Sequence, residues 1–99
     1  MSPYHLQKPF RADRAFLGVS GVDAVAGYTA VDFDAVQVKR AMIEHASEVI
    51  AVADSSKIGQ AAFAHVAPLT AACLLLTDSG ISPSSEQALT EAGVIVRRV

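Results

Sequence analysis

The sequence predicts an α/β domain with a mostly parallel sheet. Two observations carry this prediction. Short apolar runs alternate with helix-like segments along the chain, an order typical of parallel sheets. The run Val49-Ile50-Ala51-Val52-Ala53 is apolar at every position and then stops at Asp54-Ser55-Ser56-Lys57. A continuous run of this length with β-branched residues reads as a strand buried on both faces. At 99 residues the chain is expected to form one domain with a core of its own.

Residues 1–14 carry Pro3, Pro9 and scattered charges without periodicity, and read as an N-terminal arm. Ala15–Val19 is a short buried strand. It breaks into the turn-like cluster Ser20-Gly21-Val22-Asp23, and Gly27-Tyr28-Thr29 continues as loop. A helix follows, with Asp34 as its cap and Gln37 three residues later completing a capping box. Ala35, Val38, Met42, Ala46 and Val49 fall near one face of that helix, while Lys39, Arg40, Glu44 and Glu48 point elsewhere. The chain then enters the strand near 49–53. Residues 58–70 suit a short helix and a crossing segment. Cys73–Thr77 is a third buried strand. Ser82-Pro83 opens the next helix, with serine at the cap and proline at the first position. Gly93 ends it, and residues 94–99 form the last strand.

Composition narrows the function. Apolar residues make up 52% of the chain and charged residues only 18%, so some apolar surface is expected to meet a partner chain. The net charge of −2 leaves no basic footprint for nucleic acid. No signal peptide and no membrane-length apolar stretch is seen. The one cysteine, Cys73, lies in an apolar run and reads as a core residue. It precludes a disulfide within the chain and fits a cytoplasmic protein.

The chemistry concentrates at strand ends. Ser20-Gly21-Val22-Asp23, Asp54-Ser55-Ser56-Lys57 and Thr77-Asp78-Ser79-Gly80 each follow a predicted strand. If those strands are parallel, the clusters share the rim where open α/β sheets collect ligands. A lysine and hydroxyls donate hydrogen bonds to an anion such as phosphate, although each cluster alone equally suits a solvated turn. His5, His45 and His65 lack metal-ligand spacing, and no metal or cofactor is expected. No nucleophile elbow, Walker loop or dinucleotide fingerprint appears.

Six segments in order then resemble a known family. They are Phe16-Leu17-Gly18-Val19-Ser20-Gly21-Val22-Asp23, Gly27-Tyr28-Thr29, Val38-Lys39-Arg40-Ala41-Met42-Ile43, Ala53-Asp54-Ser55-Ser56-Lys57-Ile58-Gly59, Val66-Ala67-Pro68-Leu69 and Leu76-Thr77-Asp78. Together they are similar to the later part of the C-terminal effector-sensing domain of DeoR-type bacterial transcriptional repressors, over about residues 13–99. The resemblance implies a Rossmann-like three-layer sandwich, shared with ribose-5-phosphate isomerase, glucosamine-6-phosphate deaminase and CoA transferases, here truncated relative to the full sensor domain. On this reading residues 15–99 form a partial sensor of a phosphorylated sugar or related metabolite. The ligand-binding candidates are Ser20, Gly21, Asp23, Gly27, Thr29, Asp54, Ser56 and Lys57. The family's winged helix-turn-helix and its phosphate loop have no counterpart here, so DNA would be contacted only through a domain absent from this chain. Open sheet edges then favour a homo-oligomer. An isomerase-like enzyme is the competing reading, as is a fragment that only self-associates. The isomerases place acids where Ser20 and Ala24 stand and a glutamate base near Lys39. A protonated lysine is a poor base, so a non-enzymatic sensor is expected.

Overall fold

Strand β1 (Ala12–Gly18) opens the structure, a computed structural model that describes residues 12–99. It begins three residues before the expected strand, and the rest of the predicted arm, with His5, lies outside the described residues. β1 belongs to a four-stranded sheet with β4 (Ala46–Val52), β6 (Leu74–Thr77) and β7 (Val96–Arg98), in the order β1-β4-β6-β7. Every neighbouring pair is parallel. The register lines up Leu17, Ala51, Leu75 and Val96 across all four strands. Leu17, Ala51 and Leu75 are fully buried and form the centre of the core. β4 is buried at Val49, Ile50 and Ala51 in succession, as a central parallel strand must be. The fold is the α/β arrangement with a parallel sheet that the alternation of elements predicts, Rossmann-like as the resemblance implies.

A second, antiparallel sheet corrects the sequence reading. Gly21–Asp23 is strand β2 and Gly27–Ala30 is β3, where loops were expected. Ala64–Ala67 is β5, where a helix and a crossing segment were expected. The order is β2-β3-β5. Most of its side chains are small or buried, with Val22, Tyr28 and Ala30 fully enclosed, while His65 is exposed. Helix α1 (Phe33–His45) packs on β1 and β4 of the large sheet and on β3 and β5 of the small one, joining the two. Helix α2 (Pro83–Glu91) supplies Leu89 to the same core and packs on β7.

Cap chemistry explains the helix boundaries. Asp32, not Asp34, caps α1; its extended backbone lets the carboxylate accept a hydrogen bond from the Ala35 amide at 2.7 Å. Ala35, Met42 and Ala46 of the expected face pack partly buried against the core, but Val38 is 62% exposed and Val36, at 2%, fills the buried position instead. The helix gives way directly to β4 at Ala46, so Val49 is a strand residue. Arg40 stays exposed, as expected, and its guanidinium donates to the carbonyls of Val66 (3.0 Å) and His65 (2.9 Å), tying α1 to β5. For α2 the expectation holds: Ser82 accepts from the Ser85 amide, with Pro83 next to it. Gly93 at φ +96° closes the helix, followed by a bond from the Val94 amide to the Leu89 carbonyl. Cys73 departs from expectation. It is exposed, because it precedes β6 and lies at the sheet margin, where its thiol meets the Val49 carbonyl at 3.4 Å.

Candidate functional site

Because β1, β4 and β6 are parallel, the segments that follow them leave from one rim of the sheet. After β4, the central segment turns at once. Asp54 accepts hydrogen bonds through Oδ1 from the Ser56 amide (3.0 Å) and the Ser56 hydroxyl, and this caps a single 3-10 turn over Ser55–Lys57. The turn is clamped from both sides. On one side Asp78, after β6, accepts from the Ser55 amide at 2.9 Å through Oδ2 and from the Gly80 amide at 2.8 Å through Oδ1. On the other side the Gly59 amide donates to the Val22 carbonyl at 2.7 Å, and Ile58 bridges Val22 in parallel. The three polar clusters are thus linked, one side through the Asp78 carboxylate and the other through a backbone bond.

These bonds set the charges. Ser55's amide, then its hydroxyl, then the Gly80 amide hold the Asp78 carboxyl below the usual carboxylate range. Asp23 closes the β2–β3 turn, accepting through Oδ2 from Ala26 (2.8 Å) and Val25 (2.9 Å). The Ala26 amide, and next the Val25 amide, lower its carboxyl likewise. Lys57 is half-buried and makes no ion pair among the described residues.

The eight candidates divide into two groups. Ser20, Asp23, Asp54, Ser56 and Lys57 stand along the connected segments at the rim. Gly21, Gly27 and Thr29 belong to the interior of the small sheet instead. Thr29 is buried, and its hydroxyl accepts from the Ala62 amide at 2.8 Å. A Cβ on Gly21 would run into the Thr29 hydroxyl and stand 2.5 Å from the Gln60 carbonyl. Gly27 has φ +77°, and a Cβ there would stand 2.5 Å from the Ala67 carbonyl. These three residues are packed within the small sheet beside the rim.

A shallow groove of about 90 Å³ opens beside the turn. Val22, Asp23 and Ala24 form one wall, Ile58 and Gly59 the floor, and Ser85, Ala88 and Leu89 of α2 the other wall. Sequence reasoning missed the contribution of α2, because nothing in its pattern tells which loop it folds against.

The family model of the DeoR C terminal sensor domain matches residues 4–79, more than half of the chain. The chain belongs to that family. The DeoR-type match includes both the hairpin and the 54–59 turn, while α2 lies beyond it. Among the relatives, the HTH-type transcriptional regulator GlpR of Haloferax volcanii is 36% identical over 84 residues, covering 85% of this chain and 33% of that protein. The glycerol-3-phosphate regulon repressor of Escherichia coli K12 is 34% identical over 82 residues, 83% of this chain and 32% of the repressor. The HTH-type transcriptional repressor GlcR of Bacillus subtilis is 40% identical over 78 residues, 79% and 28% respectively. The chain therefore spans about a third of the length of these curated relatives. All three carry regulator or repressor names, not enzyme names. No helix of the described residues is long and apolar enough to cross a membrane.

Proposed function

We propose that this chain is the effector-binding part of a DeoR-type transcriptional regulator, and that its sheet rim takes a phosphorylated sugar or polyol. The observation that carries the reading is Lys57, which is fixed at the end of a clamped turn on the central strand and has no carboxylate partner among the described residues. Its ammonium and the Ser20 hydroxyl would meet the phosphate. The Asp23 and Asp54 oxygens left free by their turns would accept from the ligand's hydroxyls. The name of the Escherichia coli relative puts glycerol 3-phosphate first among the compounds to try. In an intact regulator, occupancy of the rim would shift the sensor between states with different DNA affinity, with the DNA contact made by the helix-turn-helix portion.

Thermal denaturation of the whole chain tests this. Glycerol 3-phosphate, glucose 6-phosphate and other sugar phosphates are compared with glycerol, glucose and inorganic phosphate. A compound present at ten times its Kd adds about 1.4 kcal/mol, which raises the midpoint of a domain this size by roughly 6–11 °C. Lys57→Ala should leave the unliganded midpoint unchanged and weaken binding by about 1.5–3 kcal/mol, the loss of one charge-assisted hydrogen bond. A midpoint that no phosphorylated compound moves would overturn the reading.

A further inference from the structure

The turn that carries Asp23 is held from a second direction. Asp23 accepts from the Ala26 amide at 2.8 Å, and the Ala26 carbonyl in turn accepts from Nδ1 of His65 on β5 at 2.9 Å. A carbonyl can only accept, so Nδ1 carries a proton. Strand pairing does not account for this bond. His65 stands opposite Thr29, and its ring reaches back three residues to the turn, past the shift in register between Tyr28 and Thr29. His65 is itself fixed from α1. Arg40 donates through Nη2 to the His65 carbonyl at 2.9 Å and through Nε to the Val66 carbonyl at 3.0 Å. A planar guanidinium bonded at two neighbouring carbonyls fixes both distance and orientation. Asp23, Ala26, His65 and Arg40 therefore form one hydrogen-bonded series that runs from the rim to α1.

Resting on the reading of Asp23 as an acceptor for ligand hydroxyls, we propose that this series regulates the rim: the state of the Asp23 turn is passed to α1 through His65 and Arg40, and the grip of Arg40 sets the turn. Ala26 is the hinge of the coupling, because its amide binds Asp23 while its carbonyl binds His65. A ligand hydroxyl that engages Asp23 draws on a carboxylate already shared by the Val25 and Ala26 amides, so occupancy acts on the Ala26 backbone first. Coupling between two sites is reciprocal, so a change made at Arg40 must appear at Asp23. His65 and Arg40 are both exposed, and their bonds compete with water. The coupling is accordingly a matter of a few fold.

Two measurements on the whole chain test the coupling without a ligand: the titration of the Asp23 carboxyl followed by NMR, and hydrogen exchange of the Ala26 amide. In the wild type Asp23 should titrate below its ordinary 3.8, held there first by the Ala26 amide and then by that of Val25. His65→Leu removes the donor. Asp23 should then titrate closer to 3.8, and Ala26 should exchange roughly two- to fivefold faster. His65→Asn sets an amide N–H where Nδ1 stood and should keep both values as in the wild type. Arg40→Met keeps the aliphatic stem and removes the guanidinium. It should move Asp23 in the same direction as His65→Leu, and add nothing once His65 is leucine. Far-ultraviolet circular dichroism checks that each variant folds. Three results would each overturn the proposal: an Asp23 titration that His65→Leu leaves in place, equal effects of His65→Leu and His65→Asn, or an Arg40→Met effect that is the same with and without His65. An arginine that serves only the fold would lower the unfolding midpoint and leave Asp23 where it was. Neither measurement uses a ligand, so failure here leaves the reading of the rim standing, and that reading fails on its own test.

Discussion

Replacing Tyr28 with phenylalanine should stabilise the domain. Tyr28 is fully buried between the small sheet and the core, and its hydroxyl has no hydrogen-bond partner among the described residues. A buried hydroxyl without a partner forfeits its hydration, at about 1–3 kcal/mol. Phenylalanine keeps the ring, so Tyr28→Phe should recover much of that amount at neutral pH. A second effect appears in alkali. Burial, and to a lesser degree Cys73, push the phenol up to about 12 from its ordinary 10.0. The unfolded chain ionises first, so the contribution of the neutral phenol is complete below pH 10 and is lost as pH rises toward 12. One pH unit is about 1.4 kcal/mol, so the wild type should lose about 1.4 kcal/mol by pH 11 that the variant keeps. Urea unfolding followed by circular dichroism at pH 7.5 and pH 11 measures both quantities. The reasoning fails if Tyr28→Phe is destabilising by more than about 1 kcal/mol at pH 7.5, which would mean that the hydroxyl has a partner. It fails equally if the gap between the two proteins does not widen between pH 9 and pH 11.

Gly27→Ala should cost about 2 kcal/mol or more, since alanine is strained at φ +77° and its Cβ meets the Ala67 carbonyl; chemical denaturation gives the number. Val36→Ala should cost about 1.5–3 kcal/mol and Val38→Ala less than about 0.5, a contrast that reports directly which face of α1 is buried. Asp78→Asn should loosen the turn that carries Lys57, seen as faster amide exchange at Ser55 and Gly80. The sign of its acid effect is fixed by the depressed carboxyl: its contribution is present above the ordinary carboxylate range and lost as pH falls through the lowered value. The variant should therefore show a shallower loss of stability below about pH 4 than the wild type.

The large sheet was legible because parallel strands buried on both faces leave continuous apolar runs, and 49–53 and 73–77 are such runs. Helix α2 was legible because Ser82-Pro83 and Gly93 mark its ends chemically. The small sheet was hidden by its brevity. β2, β3 and β5 are three or four residues each, rich in glycine and alanine, and the pairing of β3 with β5 joins segments remote in sequence. Gly27 and Thr29 entered the ligand candidates through the family resemblance, and the structure places both in β3, read from the sequence as a loop. In helix α1, Asp32 and Asp34 both suit a cap and Gln37 favoured the second; Val38 was a separate error, since Val36 takes the buried position while Ala35, Met42 and Ala46 lie on the buried face as expected. The convergence of polar segments on one rim followed from parallel strands alone. Asp78 as a clamp did not, since a carboxylate bound to two amides looks in sequence like any loop acid.

Charge bookkeeping at the rim constrains what sort of molecule fits there. The linked segments carry three carboxylates, Asp23, Asp54 and Asp78, against the single ammonium of Lys57. Asp78 spends both oxygens on amides, while Asp23 and Asp54 each spend one on their own turns. Two carboxylate oxygens therefore remain as acceptors near one cation. A bare phosphate would gain from Lys57 and be repelled by the acids. In the proposed reading a phosphorylated polyol would change that balance: its hydroxyls would donate to the acids while its phosphate would accept from Lys57 and Ser20, so each end would meet groups of the matching kind. The rim should accordingly prefer a sugar or polyol phosphate to inorganic phosphate at equal charge. Comparable binding of the two would mean that the aspartates serve only their turns.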